Sequence, residues 1–189
     1  MNAPVRIAER TETPARFSID EFLELVASSV MIDAGKLELV DGIIVRMSPA
    51  LSPHMRLQRQ VYNALHAIFG DGLNGYIAQF DLSLQLGDAT LREADVGVVL
   101  RFDEEDRFPD PRSVLLLVEI AHSTLEKDLG DKRLDYAGAD IPHYWVVDVA
   151  GRRVHAMSTP LDGDYAERRL IAFGLPIAVP GTNRTITVD

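Results

Sequence analysis

SVLLLVEIAHSTLEKDLGDKRLDYAGADIPHYW, residues 113–145, decides the reading of the fold. Its first part, Val114 to Ile120, is an almost unbroken apolar run of strand length, as a strand covered on both faces requires. A segment with helical spacing follows from Thr124 to Ala137, and a second apolar run, His143 to Val149, comes after it. Strand 114–121, helix 124–137 and strand 143–149 form a βαβ unit, whose crossover makes the two strands parallel and the connection right-handed. At about 100° per residue, Leu125, Leu129 and Tyr136 fall on one narrow helix face with Lys132 in its middle. Asp128 lies on the flank, four residues before Lys132, where the two can pair along the helix.

Glu119 is the anomaly in this unit. A carboxylate inside a buried strand costs several kcal/mol unless a cation or hydrogen-bond donors meet it. A second acid, Asp95, sits in another apolar run, ADVGVVL (residues 94–100), with Ala94, Val96, Val98 and Leu100 on one face and Asp95, Gly97 and Val99 on the other. If the two strands are neighbours, the acids can face each other across roughly 5 Å. Carboxylates that close repel unless a proton or cation lies between them. The residues leave two resolutions open. One is a divalent cation held by both acids and completed by water. The other is a structural pair of ion pairs, Glu119 with Lys132 and Asp95 with Arg92 or Arg46.

The remaining chain supplies strands and helices around this unit. Ser18 and Glu21 form a capping box, followed at helical spacing by Phe22, Leu25, Val26 and Ser29. Asp41-Gly42 between two β-rich runs predicts a hairpin, with Glu38 on its first strand. A helix over 54–69 carries Leu57, Val61, Leu65 and Ile68 in one stripe, with His54 at its N-terminal end. Residues 76–86 alternate, Tyr76, Ala78, Phe80, Leu82, Leu84 and Leu86 on one face, as a half-buried strand does. Residues 101–112 read as a surface loop, and 152–189 as short strands with turns at Asp162-Gly163 and Pro180-Gly181. The sheet should hold five to seven strands in one α/β or α+β domain over residues 17–189, behind a loose arm over residues 1–16.

Composition narrows the function. The 189 residues are 47% hydrophobic and 25% charged, a soluble globular balance. With no cysteine, disulfides, thiolate metal sites and cysteine nucleophiles are excluded. His54, His122 and His143 lack a zinc-binding spacing, Ser123 and Thr124 read as helix caps, and no glycine-rich phosphate loop occurs. The N-terminal residues do not read as a secretory signal and no run reaches the length of a membrane span, so a cytoplasmic protein is expected. A net charge of −10 opposes broad adhesion to nucleic acid but leaves room for a local basic groove.

One succession of short elements adds to this reading: ELVDG (38–42), MSP (47–49), His54, Asp95 with Val96, VEI (118–120), Asp128, Lys132, Tyr136 and HYWVVD (143–148). In that order and at those intervals it resembles the Uma2 family, also called DUF820, over about residues 17–155. Members of that family are assigned to the PD-(D/E)xK nuclease superfamily. The resemblance implies a restriction-endonuclease-like core, a mixed sheet with flanking helices, here followed by a β-rich C-terminal tail. It also implies Mg²⁺ or Mn²⁺, one ion or two, held by Asp95 and Glu119. The lysine that in most of the superfamily lies two residues after the second acid is Ala121 here, and Lys132 on the following helix matches the migrated lysine. Ala94 stands where the motif has proline, and EIAHS replaces ExLSPS, with His122 in it. Glu38 matches the family's first acidic position, as a further ligand or an orienter of metal-bound water.

The expected function is metal-assisted phosphodiester hydrolysis, with DNA as the expected substrate and a homodimer as an expected assembly. Lys132, kept protonated by neighbouring carboxylates, is expected to orient the attacking water or stabilise charge rather than act as a general base. Two other readings compete: a nuclease-fold binding module whose chemistry has faded, and a hydrolase of another phosphoester.

Overall fold

The computed structural model describes residues 14–28, 35–47, 52–103 and 105–189. Helix α1 (Ile19–Ala27) starts as the sequence predicts, with the Ser18 side chain accepting from the Glu21 amide and Glu21 accepting from the Ser18 amide. Ser29 and most of the 1–16 arm lie outside the described residues. Strands β1 (Leu37–Val40) and β2 (Ile43–Arg46) pair antiparallel around Asp41-Gly42. Both turn residues have positive φ, 48° and 78°, the conformation that a two-residue hairpin needs and that Asp-Gly adopts readily. Helix α2 (Ser52–Phe69) buries Leu57, Val61, Leu65 and Phe69.

Strands β3 (Tyr76–Gln85) and β4 (Leu91–Leu100) form a long antiparallel pair. Strand β5 (Val114–Ala121) is antiparallel to β4 and parallel to β6 (His143–Asp148), as the crossover requires. The hairpin β7 (Arg153–Leu161) and β8 (Asp164–Ala172) extends the sheet beyond β6. The sheet therefore has eight strands, more than the five to seven expected. The excess comes from the tail, whose first two strands are nine residues each rather than short. Strands β9 (Ile177–Ala178) and β10 (Thr185–Ile186) form a separate small sheet.

Two apolar layers cover the main sheet. On one side α2 packs with the tail residues Ile177, Val179, Ile186 and Val188 against Val96, Val118, Trp145 and Val147. On the other, Tyr136, Ala137 and Ile141 pack against Leu117, Tyr144 and Val146. The crossover helix on that side is broken. Gly130, with φ −102° and ψ −107°, separates α3 (Leu125–Leu129) from α4 (Asp131–Gly138). A side chain there would collide with the Glu126 carbonyl, 2.6 Å from where its Cβ would lie.

The alternation read for β3 and β4 also changes within the strands. Ala78 belongs to the α2-side core, whereas Leu82 and Leu84 belong to the α4-side core; Val96 and Val98 differ from Ala94 in the same way. The switch is centred on Asp81, which adopts φ 47° opposite Asp95 in the register set by Phe80 with Val96 and Leu82 with Ala94. A left-handed residue reverses the pleat, so one face cannot run the length of the strand.

The pairing of β4 positions the site. Strand β3 occupies one edge of β4 along its full length. The other edge is shared: β1 meets it at Leu91 and β5 meets it from Val96 onward. Between those contacts, residues 92–95 have no neighbouring strand on this second edge, and the backbone groups that face it need other partners.

Candidate active site

Charged side chains fill that gap. Glu38, on β1, accepts from the Glu93 amide through Oε1 at 3.3 Å, and Lys132, on α4, donates to the Glu93 carbonyl at 2.9 Å. Lys132 Nζ also meets Glu119 Oε1 at 2.8 Å and Glu38 Oε1 at 2.9 Å. Tyr136, one turn further along α4, donates its hydroxyl to Glu119 Oε1 at 2.9 Å. Glu38 Oε2 takes Arg92 Nη1 at 3.0 Å and Lys127 Nζ at 2.8 Å, and Arg92 continues to Asp135 at 2.5 Å. Three cations and three carboxylates thus interlock, and Glu38, Arg92 and Lys132 are at most 1% exposed.

Asp95 stands at the mouth of this cluster. The register of Val96 with Val118 and Gly97 with Leu117, continued by one residue, sets Asp95 opposite Glu119. There the strands part, and Asp95 Oδ2 accepts from the Ile120 amide at 2.7 Å. Its Oδ1 meets His54 Nε2 at 3.1 Å, and Gln58 donates both to the Asp95 carbonyl at 2.9 Å and to Asp81 at 2.8 Å. His54 and Gln58 lie one turn apart on α2, so that helix holds the Asp95 segment from the opposite side of the sheet.

The electrostatics follow from burial and neighbours. Burial alone would raise the Glu38 carboxyl, but Lys132 and Lys127 outweigh it and hold it at about 2. Burial opposes charge on Lys132, yet Glu119 and Glu38 on either side raise its pKa, so it is a fixed cation. Burial pushes Glu119 well up; Lys132 offsets part of this, while Asp95 and Asp128 add to it. Burial is the main reason that the Glu119 carboxyl is raised, and Lys132 is the cation that opposes it.

The oxygen donors fit a hard divalent ion. Glu119 places Lys132 and Tyr136 on Oε1, and its Oε2 has no hydrogen-bond partner among the described residues. A carboxylate carries about four lone-pair sites, so Asp95 also retains acceptor capacity beside its two contacts. Among the described residues no three His, Asp or Glu side chains converge as a complete metal cage. Two carboxylates with water and substrate oxygens completing the shell is the Mg²⁺ pattern.

The four sequence-predicted residues, Glu38, Asp95, Glu119 and Lys132, are all brought to one locus. The structural alternative is met in part: Glu119 pairs with Lys132, but Arg92 goes to Glu38 and Asp135, and Asp95 meets His54. Asp128 does not pair along the helix with Lys132. It accepts from Thr124 Oγ1 at 2.5 Å, so Thr124 stands at the helix start without capping it. Sequence reading offered Arg92 only as a partner of Asp95, whereas it pairs with Glu38 and Asp135, and it did not name Lys127. Arg92 shares strand parity with buried Ala94, a usable signal; nothing local connects Lys127 to Glu38.

The fold is that of a nuclease-like mixed-sheet protein. The fold is similar to the crystal structure of a "putative nuclease belonging to DUF820" from Anabaena variabilis ATCC 29413, with 17% identity, a TM-score of 0.63, and coverage of 88% of this chain and 90% of that one. The chain belongs to the Uma2 family, described as "Putative restriction endonuclease", whose model matches residues 19–188. No curated protein matches it. Among the described residues no helix is long and apolar enough to cross a membrane.

Proposed function

We propose that this chain is a divalent-metal-dependent endonuclease that hydrolyses phosphodiester bonds in DNA. The observation that carries the reading is the pair Asp95 and Glu119 where β4 and β5 part, with buried Lys132 bonded to the second acid. Asp95 and Glu119 would hold Mg²⁺ or Mn²⁺. Such an ion, once bound, polarises a phosphoryl oxygen and lowers the pKa of water.

The chain's own residues set the conditions for that chemistry. The Ile120 amide and His54 orient Asp95. Lys132 and Tyr136 fix Glu119 through one oxygen and leave the other free for a ligand. Lys132, permanently protonated, acts through its charge and not as a base, since a general base must titrate near the working pH. Glu38 holds that lysine in place. A duplex cut by one site per chain calls for two copies, so the assembly on DNA would be a homodimer.

Supercoiled plasmid incubated with the protein and Mg²⁺ or Mn²⁺ should become nicked or linear, and should stay intact in EDTA. Glu119→Ala and Lys132→Ala, each checked for cooperative unfolding, should cut about 10²–10³-fold more slowly. Parental rates in both variants, or cleavage in EDTA, would sink the proposal. A folded protein that binds duplex and never cuts it would indicate the binding-module reading instead.

A further inference from the structure

Lys132 cannot reach a substrate. An ammonium has three N–H donors, and Lys132 commits them to Glu119 Oε1, Glu38 Oε1 and the Glu93 carbonyl at 2.8, 2.9 and 2.9 Å. It is fully buried as well. To donate to a phosphate it would have to abandon a carboxylate or leave a backbone carbonyl unpaired inside the protein, at a cost of several kcal/mol. The charge of Lys132 serves the site, but another group must make the direct contact.

Lys127 is placed for it. Its Nζ bonds Glu38 Oε2 at 2.8 Å, the other oxygen of the carboxylate that holds Lys132. Two ammonium groups on one carboxylate lie within a few ångströms of each other. Unlike Lys132, the Lys127 side chain is 26% exposed. Its second contact is the Met47 sulfur, a weak acceptor, so among the described residues one N–H has no acceptor and another is loosely held. Glu38 keeps Lys132, Arg92 and the Glu93 amide as partners when Lys127 turns away from it. Lys36, the other solvent-facing lysine nearby, is held between Asp81 and Glu93 at 2.9 and 2.5 Å. His54 is occupied with Asp95.

We infer that Lys127 is the substrate-contacting cation of this site, donating to a phosphate oxygen of the bound nucleic acid while Lys132 stays locked on the carboxylates. The assignment rests on the nuclease reading above. It divides between two residues of the crossover the duties that one lysine would otherwise perform.

The test is duplex DNA binding in Ca²⁺, measured over a salt series for the parent, Lys127→Met and Lys132→Met, with thermal unfolding of each variant as a control. One phosphate contact contributes about 0.9 to the slope of log affinity against log salt. Lys127→Met should therefore flatten the slope by about 0.9, and Lys127→Arg should restore it. Lys132→Met, if folded, should keep the parental slope even where cleavage is lost. A parental slope in Lys127→Met, or a slope lowered by Lys132→Met instead, overturns the assignment and leaves the nuclease reading standing. A parent that neither binds nor cuts duplex overturns both.

Discussion

Glu38 shows how much one buried side chain can carry. The sequence places it on the first strand of a hairpin, and it is 1% exposed there and accepts from two lysines, an arginine and a backbone amide. Its pKa of about 2 in the folded chain lies below the ordinary 4.5. A depressed carboxyl stabilises the fold above its unfolded value, and that stability is lost as pH falls through the folded one. For Glu38 the contribution is about 3 kcal/mol, complete above pH 4.5 and lost toward pH 2. Glu38→Gln should be less stable than the parent at neutral pH, with the gap closing between pH 4.5 and 2. Urea titrations across that range measure it, and a pH-independent gap would show that the charge is not the source. Much of this locus is legible from residue types: an acid in an apolar strand and a lysine on the inward stripe of the next helix announce each other. Arg92 and Lys127 join through contacts 54 and 89 residues away in the chain, which no local spacing encodes.

At the scale of elements, the crossover depends on its break. On an unbroken helix Lys127 and Lys132, five residues apart, would project about 140° from one another. The interruption at Gly130 lets both reach one carboxylate. Gly130→Ala should cost on the order of 1–3 kcal/mol, because the added carbon meets the Glu126 carbonyl. It should also lower cleavage by displacing α4 relative to α3. Denaturant unfolding and plasmid cleavage together check this; an alanine variant of parental stability and rate would show that the break is incidental. Helical spacing runs through Gly130 without interruption, so periodicity alone reads one helix there. Asp81 hides the face switch of β3 and β4 in the same way, since apolar residues continue at every second position on both sides of it. The Asp-Gly hairpin and the α2 stripe, whose signals are local, are read correctly.

The whole molecule is closed by its last strands. Ile177, Val179, Ile186 and Val188 are each buried against α2 and the sheet. Burying four such aliphatic side chains is worth about 6–12 kcal/mol as an upper estimate, comparable to the roughly 5–15 kcal/mol net stability of an entire domain. A chain ending at Phe173 should therefore lose cooperative thermal unfolding, although every site residue is retained. A sharp transition in that shortened chain would contradict the packing described.

The placement of Lys132 on a helix, and not on the strand that bears Glu119, separates two engineering constraints. A cation two residues along the same strand would be tied to that strand's register, so any slip would carry acid and cation together. Here β5 can be regarded as one module, which fixes the acid, and the segment from His122 to Gly130 as an adjustable tether, which fixes the cation. Lengthening the tether by one residue detunes the cation while leaving both acids in register. Backbone register of the acids and placement of the cation are thus set by different elements, joined where Lys132 and Tyr136 hold the Glu119 carboxylate.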